Sequence, residues 1–133
     1  MLEAVREGAC EVEGVDIGLR PALTAGVVDA LAADAIVLGT PANIGYMSGA
    51  MKHFFDTIYY PVLEAMPNRP YALYVHGNSD TGGTVRGVES IAKGLNWRSL
   101  RPPLTVVGDV HPEDLAECRD LGGLAALAAL GEV

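Results

Sequence analysis

Apolar positions along the chain switch between a helical period and short continuous runs. Leu2, Val5 and Ala9 recur at helical spacing, with Glu3, Arg6 and Glu7 on the other side and Gly8 near the end as a stop, which predicts a short opening helix. Val15, Ile17 and Leu19 then alternate with Asp16, Gly18 and Arg20, the pattern of a strand with one covered and one wet face, ended by Pro21. A short helix over Val27–Ala33 leads into Ala35–Gly39, a continuous apolar run suited to a strand covered on both faces. Met51, Phe54, Phe55, Ile58 and Val62 follow the i, i+3, i+4, i+7 spacing while Lys52, His53, Asp56 and Thr57 face away, an amphipathic helix that Pro61 kinks or ends. The cycle repeats with a strand over Tyr71–Val75, a helix carrying Val85, Val88, Ile91, Ala92 and Leu95, and a strand over Leu104–Val107. Pro112 at a first helical position, followed by Glu113 and Asp114, opens a last helix, in which Gly122 and Gly123 cost about 1 kcal/mol each and threaten a break.

Strands and helices alternating through short joins predict a single α/β domain over residues 1–133, a parallel sheet with helices on both faces. Ligands of such sheets bind beyond the carboxyl ends of the strands. Two loops there are long and rich in Gly, Asn, Ser and Thr: Gly39 to Gly49, and His76 to Thr84.

Composition narrows the partners. Half the residues are apolar and a fifth charged, enough for a packed core, which excludes intrinsic disorder. A net charge of −8, from nine basic and seventeen acidic residues, has the wrong sign for nucleic acid, and no basic run serves a membrane surface. No apolar run approaches the roughly 18 residues of a membrane span, and the first residues lack a signal-peptide pattern, so a cytoplasmic location is expected. Cys10 and Cys118 match no metal or redox spacing and read as separate, partly buried thiols. His53, on a polar helix face, and His111, at a helix start, do not cluster with His76, so no metal site is expected.

Two stretches carry a specific resemblance. Asp34-Ala35-Ile36-Val37-Leu38-Gly39-Thr40-Pro41 followed by Gly45-Tyr46-Met47-Ser48-Gly49-Ala50-Met51-Lys52-His53-Phe54-Phe55-Asp56 resembles the signature of flavodoxin-like NAD(P)H-dependent FMN reductases, the group that includes quinone reductases of the Trp-repressor-binding-protein type. The turn with Gly77, Thr81, Gly82 and Gly83, and the stretch from Trp97 to Gly108, are similar too. The resemblance implies a flavodoxin-like three-layer α/β/α fold with a parallel sheet whose first strand is missing. It also implies FMN as cofactor, NAD(P)H as electron donor and a quinone-like acceptor. Carried over by position, Pro41, Ala42, Asn43, Ile44, Gly45, Tyr46 and Met47 meet the edge of the isoalloxazine ring, and His76, Gly77, Asn78, Thr81, Gly82 and Gly83 flank its other side. Hydride passes through the flavin, so no catalytic acid or base is expected. Ser48 is expected to cap the next helix, and Thr81 and Thr84 to cap theirs.

For His76 two roles stay open, contact with the ring or substrate and a bond to a backbone carbonyl; for Tyr46, covering the flavin and filling the loop. Tyr59, Tyr60 and Trp97 read as packing or subunit-contact residues of a homodimer or homotetramer. Members of the family open with a strand and a phosphate-binding loop, and this sequence starts within the helix that follows them. It is therefore expected to be a fragment, or to begin from a start placed too far downstream, with Val15–Leu19 left without a neighbour and FMN affinity lowered roughly 10³-fold. A flavodoxin-type electron carrier and a flavin-free scaffold are the alternatives.

Overall fold

The computed structural model describes residues 1–133. The elements run α1 (Leu2–Cys10), α2 (Val27–Ala32), β1 (Ile36–Asn43), β2 (Tyr46–Met47), α3 (Gly49–Val62), β3 (Pro70–Gly77), α4 (Gly82–Gly94), β4 (Arg98–Ser99), β5 (Leu104–Val107) and α5 (Pro112–Ala129). β3 is the central strand. β1 lies parallel on one side, from Ile36 opposite Tyr71 to Pro41 opposite His76. On the other side β4 pairs the start of β3 and β5 its end, both parallel. Arg101, Pro102 and Pro103 separate those two short strands, because proline removes a ladder donor. β2 folds back antiparallel on the tip of β1.

Two cores sandwich the sheet. On one face Leu38, Leu73 and Val75 pack with Ala30 of α2, Met51, Phe54, Phe55 and Ile58 of α3, and Val88 and Ala92 of α4. On the other, Val37, Ala72, Tyr74 and Leu104 meet Val5 of α1 and Cys118 and Leu121 of α5. The alternation of β1 between these clusters, Val37 to one and Leu38 to the other, is the period-2 pattern of a strand covered twice. This is the three-layer α/β/α architecture expected, and its strand order is consistent with a flavodoxin-like sheet without its first strand. No helix is long and apolar enough to cross a membrane.

Four expectations are corrected. Val15–Leu19 is not a strand: residues 13–20 take part in no backbone–backbone hydrogen bond, since no strand lies beside them to complete a ladder. Gly122 and Gly123 do not break the last helix, which runs unbroken over 18 residues. Gly122 instead brings the helix against α1: a Cβ there would stand 1.9 Å from the Val5 carbonyl oxygen, as one on Gly8 would from that of Arg119. Gly8 is thus a packing residue and not a stop, and α1 continues to Cys10. The cysteines are unpaired as read, but unlike each other, Cys118 fully buried and Cys10 exposed.

Candidate functional site

Much of the stretch from Gly39 to Gly49, read as a long loop, is strand: β1 runs on to Asn43 and turns back through β2 as a β-hairpin with a two-residue turn. Ala42 pairs Met47 and Asn43 pairs Tyr46, leaving Ile44 and Gly45 as the turn with φ of 49° and 73°. Positive φ at both central residues defines the type I′ turn, whose usual sequence signal is Asn-Gly or Asp-Gly. Ile44 in the first position hides that signal.

The base of the hairpin is pinned by a residue the sequence reading passed over. Thr40 is buried, its hydroxyl donates to the Pro41 carbonyl at 2.8 Å and accepts from the Ser48 N–H at 3.0 Å. Thr40 shares the Leu38 face of β1, so a polar group there must find a partner within the turn, and that period-2 placement was the available clue. Ser48 caps α3 as expected, its hydroxyl accepting from the Met51 N–H at 3.1 Å.

The second loop meets the first directly. A Cβ on Gly83 would stand 2.1 Å from the Gly45 carbonyl oxygen, and one on Gly77 3.0 Å from the Ala42 Cβ. Gly87, a turn further along α4, lies under the Tyr46 ring. The glycines at 77 and 83 therefore serve contact between the loops. Asn43, Ile44, Gly45, Tyr46 and Asn78 are exposed, Pro41 is exposed beside half-buried Ala42, Met47 is buried, and Thr81, Gly82 and Gly83 are half-buried. Neither the Ile44 and Gly45 amides nor those of residues 78–81 reach a protein acceptor. The two loops thus present a group of free N–H donors at the strand ends, beside the N-terminus of α4.

His76 takes the structural of its two roles. Its Nε2 donates to the Gly108 carbonyl at 2.6 Å, while the Gly108 N–H donates to the Gly77 carbonyl at 2.8 Å, tying the loop to the turn after β5. Thr81 and Thr84 do not cap α4. Thr81 makes no side-chain cap bond, and Asp80 fills that position by accepting from the Gly82 N–H at 2.9 Å. Thr84 is fully buried in the first turn of α4 with its hydroxyl unpartnered, as is the indole N–H of Trp97 between Phe55 and Tyr71. The Arg86 guanidinium, unremarked in the sequence, folds back toward Gly82 and Gly83. His53 and His111 are exposed, Tyr59 packs on the core and Tyr60 stands 80% exposed.

A three-layer sandwich with its polar loops gathered at the strand ends places the chain among flavodoxin-like proteins. The sequence profile described as "NADPH-dependent FMN reductase" matches residues 4–108, and the chain belongs to that family. A flavodoxin of Aquifex aeolicus (strain VF5) is 41% identical over 58 residues, a match covering 44% of this chain and 31% of that protein, so the matching part of the chain spans less than a third of this curated relative. Among solved structures, an archaeal flavodoxin superposes with a TM-score of 0.81 at 19% identity, over 96% of this chain and 87% of that one. A flavodoxin, WrbA-like protein of Agrobacterium tumefaciens superposes with a TM-score of 0.74 at 21% identity, over 98% and 88%. At these identities the structural likeness is one of fold.

Proposed function

We propose that the protein is an FMN-dependent oxidoreductase that passes hydride from NAD(P)H to a quinone or similar acceptor. The observation that carries this reading is the junction of the two loops, where the Gly45 carbonyl sits on Gly83 and free amides of Ile44, Gly45 and residues 78–81 lie exposed. A flavin edge is a row of hydrogen-bonding atoms on a flat apolar body, and backbone amides on side-chain-poor loops approach such an edge closely. In this fit Ala42–Met47 would hold the ring edge, Asn78, Thr81 and Gly82 would flank the ring with Tyr46 beside it, and Gly77 and Gly83 would set the spacing of the two loops that hold it. His76 contributes by fixing its loop. The N-termini of α3 and α4 favour negative charge on the reduced ring, and Arg86 gives an anionic group of FMN or NAD(P)H a counter-charge. The flavin supplies the two-electron chemistry when bound, and the chain's part is to seat and orient it. The same reading keeps a homodimer or homotetramer, with exposed Tyr60 as a contact.

One observation favours a second reading, that of an electron carrier: the net charge of −8 suits docking to a basic redox protein. The two readings part on direct reaction with the nicotinamide. The test is a titration of FMN into the chain followed by flavin fluorescence, then anaerobic addition of NADPH with the visible flavin band recorded. Saturable quenching with rapid bleaching is expected for the oxidoreductase; quenching without bleaching supports the carrier. Gly83→Ala, which forces the loops apart, is expected to weaken FMN by about tenfold or more, a loss near 1.4 kcal/mol. No quenching at high FMN, or an unchanged Gly83→Ala, overturns the proposed seat.

A further inference from the structure

β5 ends the sheet on an open edge. β4 and β5 both lie on the side of β3 away from β1, and β5 pairs β3 alone, so no strand stands beyond it. The Gly108 N–H donates to the Gly77 carbonyl at 2.8 Å, so the backbone groups at positions 104, 106 and 108 turn inward to β3. Those of Thr105 and Val107, at the alternate positions, turn outward, and no loop backbone bonds them. Their side chains are exposed, Val107 by 52%, on the opposite face from buried Leu104 and Val106. The usual guards of such an edge, a lysine or an inward-pointing charge, are absent from Leu104–Val107.

A second copy of this strand, run antiparallel, fits the edge in one register. Pro103, at the outward position before Thr105, has no N–H, and Gly108 at φ 81° takes the chain out of the strand beyond Val107. Thr105 and Val107 are therefore the residues left to bond, and a two-fold axis through Val106 sets Thr105 of each copy opposite the partner's Val107. Each of these residues carries one N–H and one C=O, so the two copies exchange four hydrogen bonds and leave no outward group of Thr105 or Val107 unused. The same register lays the Thr105 side chain against the partner's Val107 on one face, a β-branched cross-strand pair. The flanks carry opposite charge. Arg101, before the strand, bonds only the adjacent Pro102 carbonyl at 3.2 Å, and neither it nor Asp109, after the strand, has an ion pair within the chain. Antiparallel pairing brings Arg101 of each copy to the Asp109 end of the other. We propose that Leu104–Val107 is a self-association edge, at which two copies of the chain join β5 to β5 into one continuous sheet. This contact lies apart from Tyr60 on α3 and requires no bound flavin.

An interface this short belongs to the weak, concentration-dependent class. Sedimentation of the full chain from about 1 μM to 1 mM is expected to show a monomer–dimer equilibrium. Hydrogen–deuterium exchange over the same series is expected to slow the Thr105 and Val107 amides by about tenfold at the upper end. Thr105→Pro removes an outward donor and leaves the ladder to β3 intact, so it is expected to abolish the dimer. Arg101→Glu is expected to weaken the dimer by about tenfold, and Arg101→Glu combined with Asp109→Arg to restore it. The two charge variants lie outside the strand and decide the matter even where the proline variant fails to fold. Four results overturn the proposal: a chain still monomeric at the top of the range, protection that spares Thr105 and Val107 and falls instead around Tyr60, a dimer undiminished in folded Thr105→Pro, or a double charge swap that associates no better than Arg101→Glu.

Discussion

Ile44 holds a backbone conformation that β-branched residues rarely adopt, φ 49°, with its side chain wholly in solvent. Nothing is buried to offset the strain, which costs about 1–2 kcal/mol. Ile44→Asn keeps the turn and suits its left-handed position, so stability is expected to rise by about 1 kcal/mol, a few degrees in Tm, measured by thermal unfolding. A fall in Tm would mean that the isoleucine is held by contacts this turn does not show. The neighbouring side chains explain how an exposed turn stays in place: the Thr40 hydroxyl bridges Pro41 and Ser48, and His76 anchors the facing loop to Gly108. The carbonyl bond was one of the two roles read for His76, but its partner, Gly108, lies 32 residues away and could not be named from the sequence, and the Thr40 bridge was missed because its partner Ser48 lies across a turn. The Ser48 cap was legible because its acceptor and donor are three residues apart.

Between elements, the crossing of α1 and α5 separates two glycines that look equivalent in the sequence. A Cβ on Gly122 would meet the α1 backbone at 1.9 Å, whereas one on Gly123 would find its nearest neighbour, the Gly8 carbonyl oxygen, at an ordinary 3.6 Å. Helix propensity favours alanine over glycine by about 1 kcal/mol at either position. Gly123→Ala is therefore expected to stabilise by about 0.5–1 kcal/mol, and Gly122→Ala to destabilise by about 1–3 kcal/mol because two backbones must separate. Urea midpoints of the two variants check this, and a gain for both would show that the helices part without cost. The hairpin of β1 and β2 and the short β4 were likewise absent from the sequence reading. Two-residue strands carry no periodicity, and pairing alone defines them.

Across the whole molecule, the sheet keeps three ionisable groups in apolar surroundings. Burial pushes the Cys118 thiol above its ordinary 9.0, and the Tyr71 and Tyr74 phenols above 10.0. For Tyr71 the charge of Glu89 adds to the rise and the nearby Ser99 hydroxyl opposes it; for Tyr74 the neighbouring Cys118 adds to it. The unfolded chain releases these protons first, so above pH 9.0 it binds fewer protons than the folded chain and stability falls as pH rises. The stabilisation is fully present below that point and is lost as pH climbs through the folded values. Urea midpoints measured from about pH 8 upward are expected to decline, with the onset delayed in Cys118→Ala and the later part reduced in Tyr74→Phe. A flat profile would show that these groups reach water in the folded protein. The ion pairs of Arg6, Lys52, Arg20 and Arg119 all lie at the surface and contribute little to stability.

The layered α/β plan, the helices, the strands at Ala35–Gly39, Tyr71–Val75 and Leu104–Val107, and the pair of glycine-rich loops at the strand ends were all legible in the pattern of residues, although β1 runs on through Thr40–Asn43, which read as loop. Periodicity is a local property, and each of these elements is long enough to express it. Packing in three dimensions set the rest: Val15–Leu19 stays unpaired, Gly122 fills a helix crossing, His76 bonds Gly108, and Gly83 seats the Gly45 carbonyl. Each of those outcomes depends on what stands beside the residue in space. A strand exists only where a neighbour completes its ladder, and a glycine's meaning lies in the atom that would otherwise meet its Cβ.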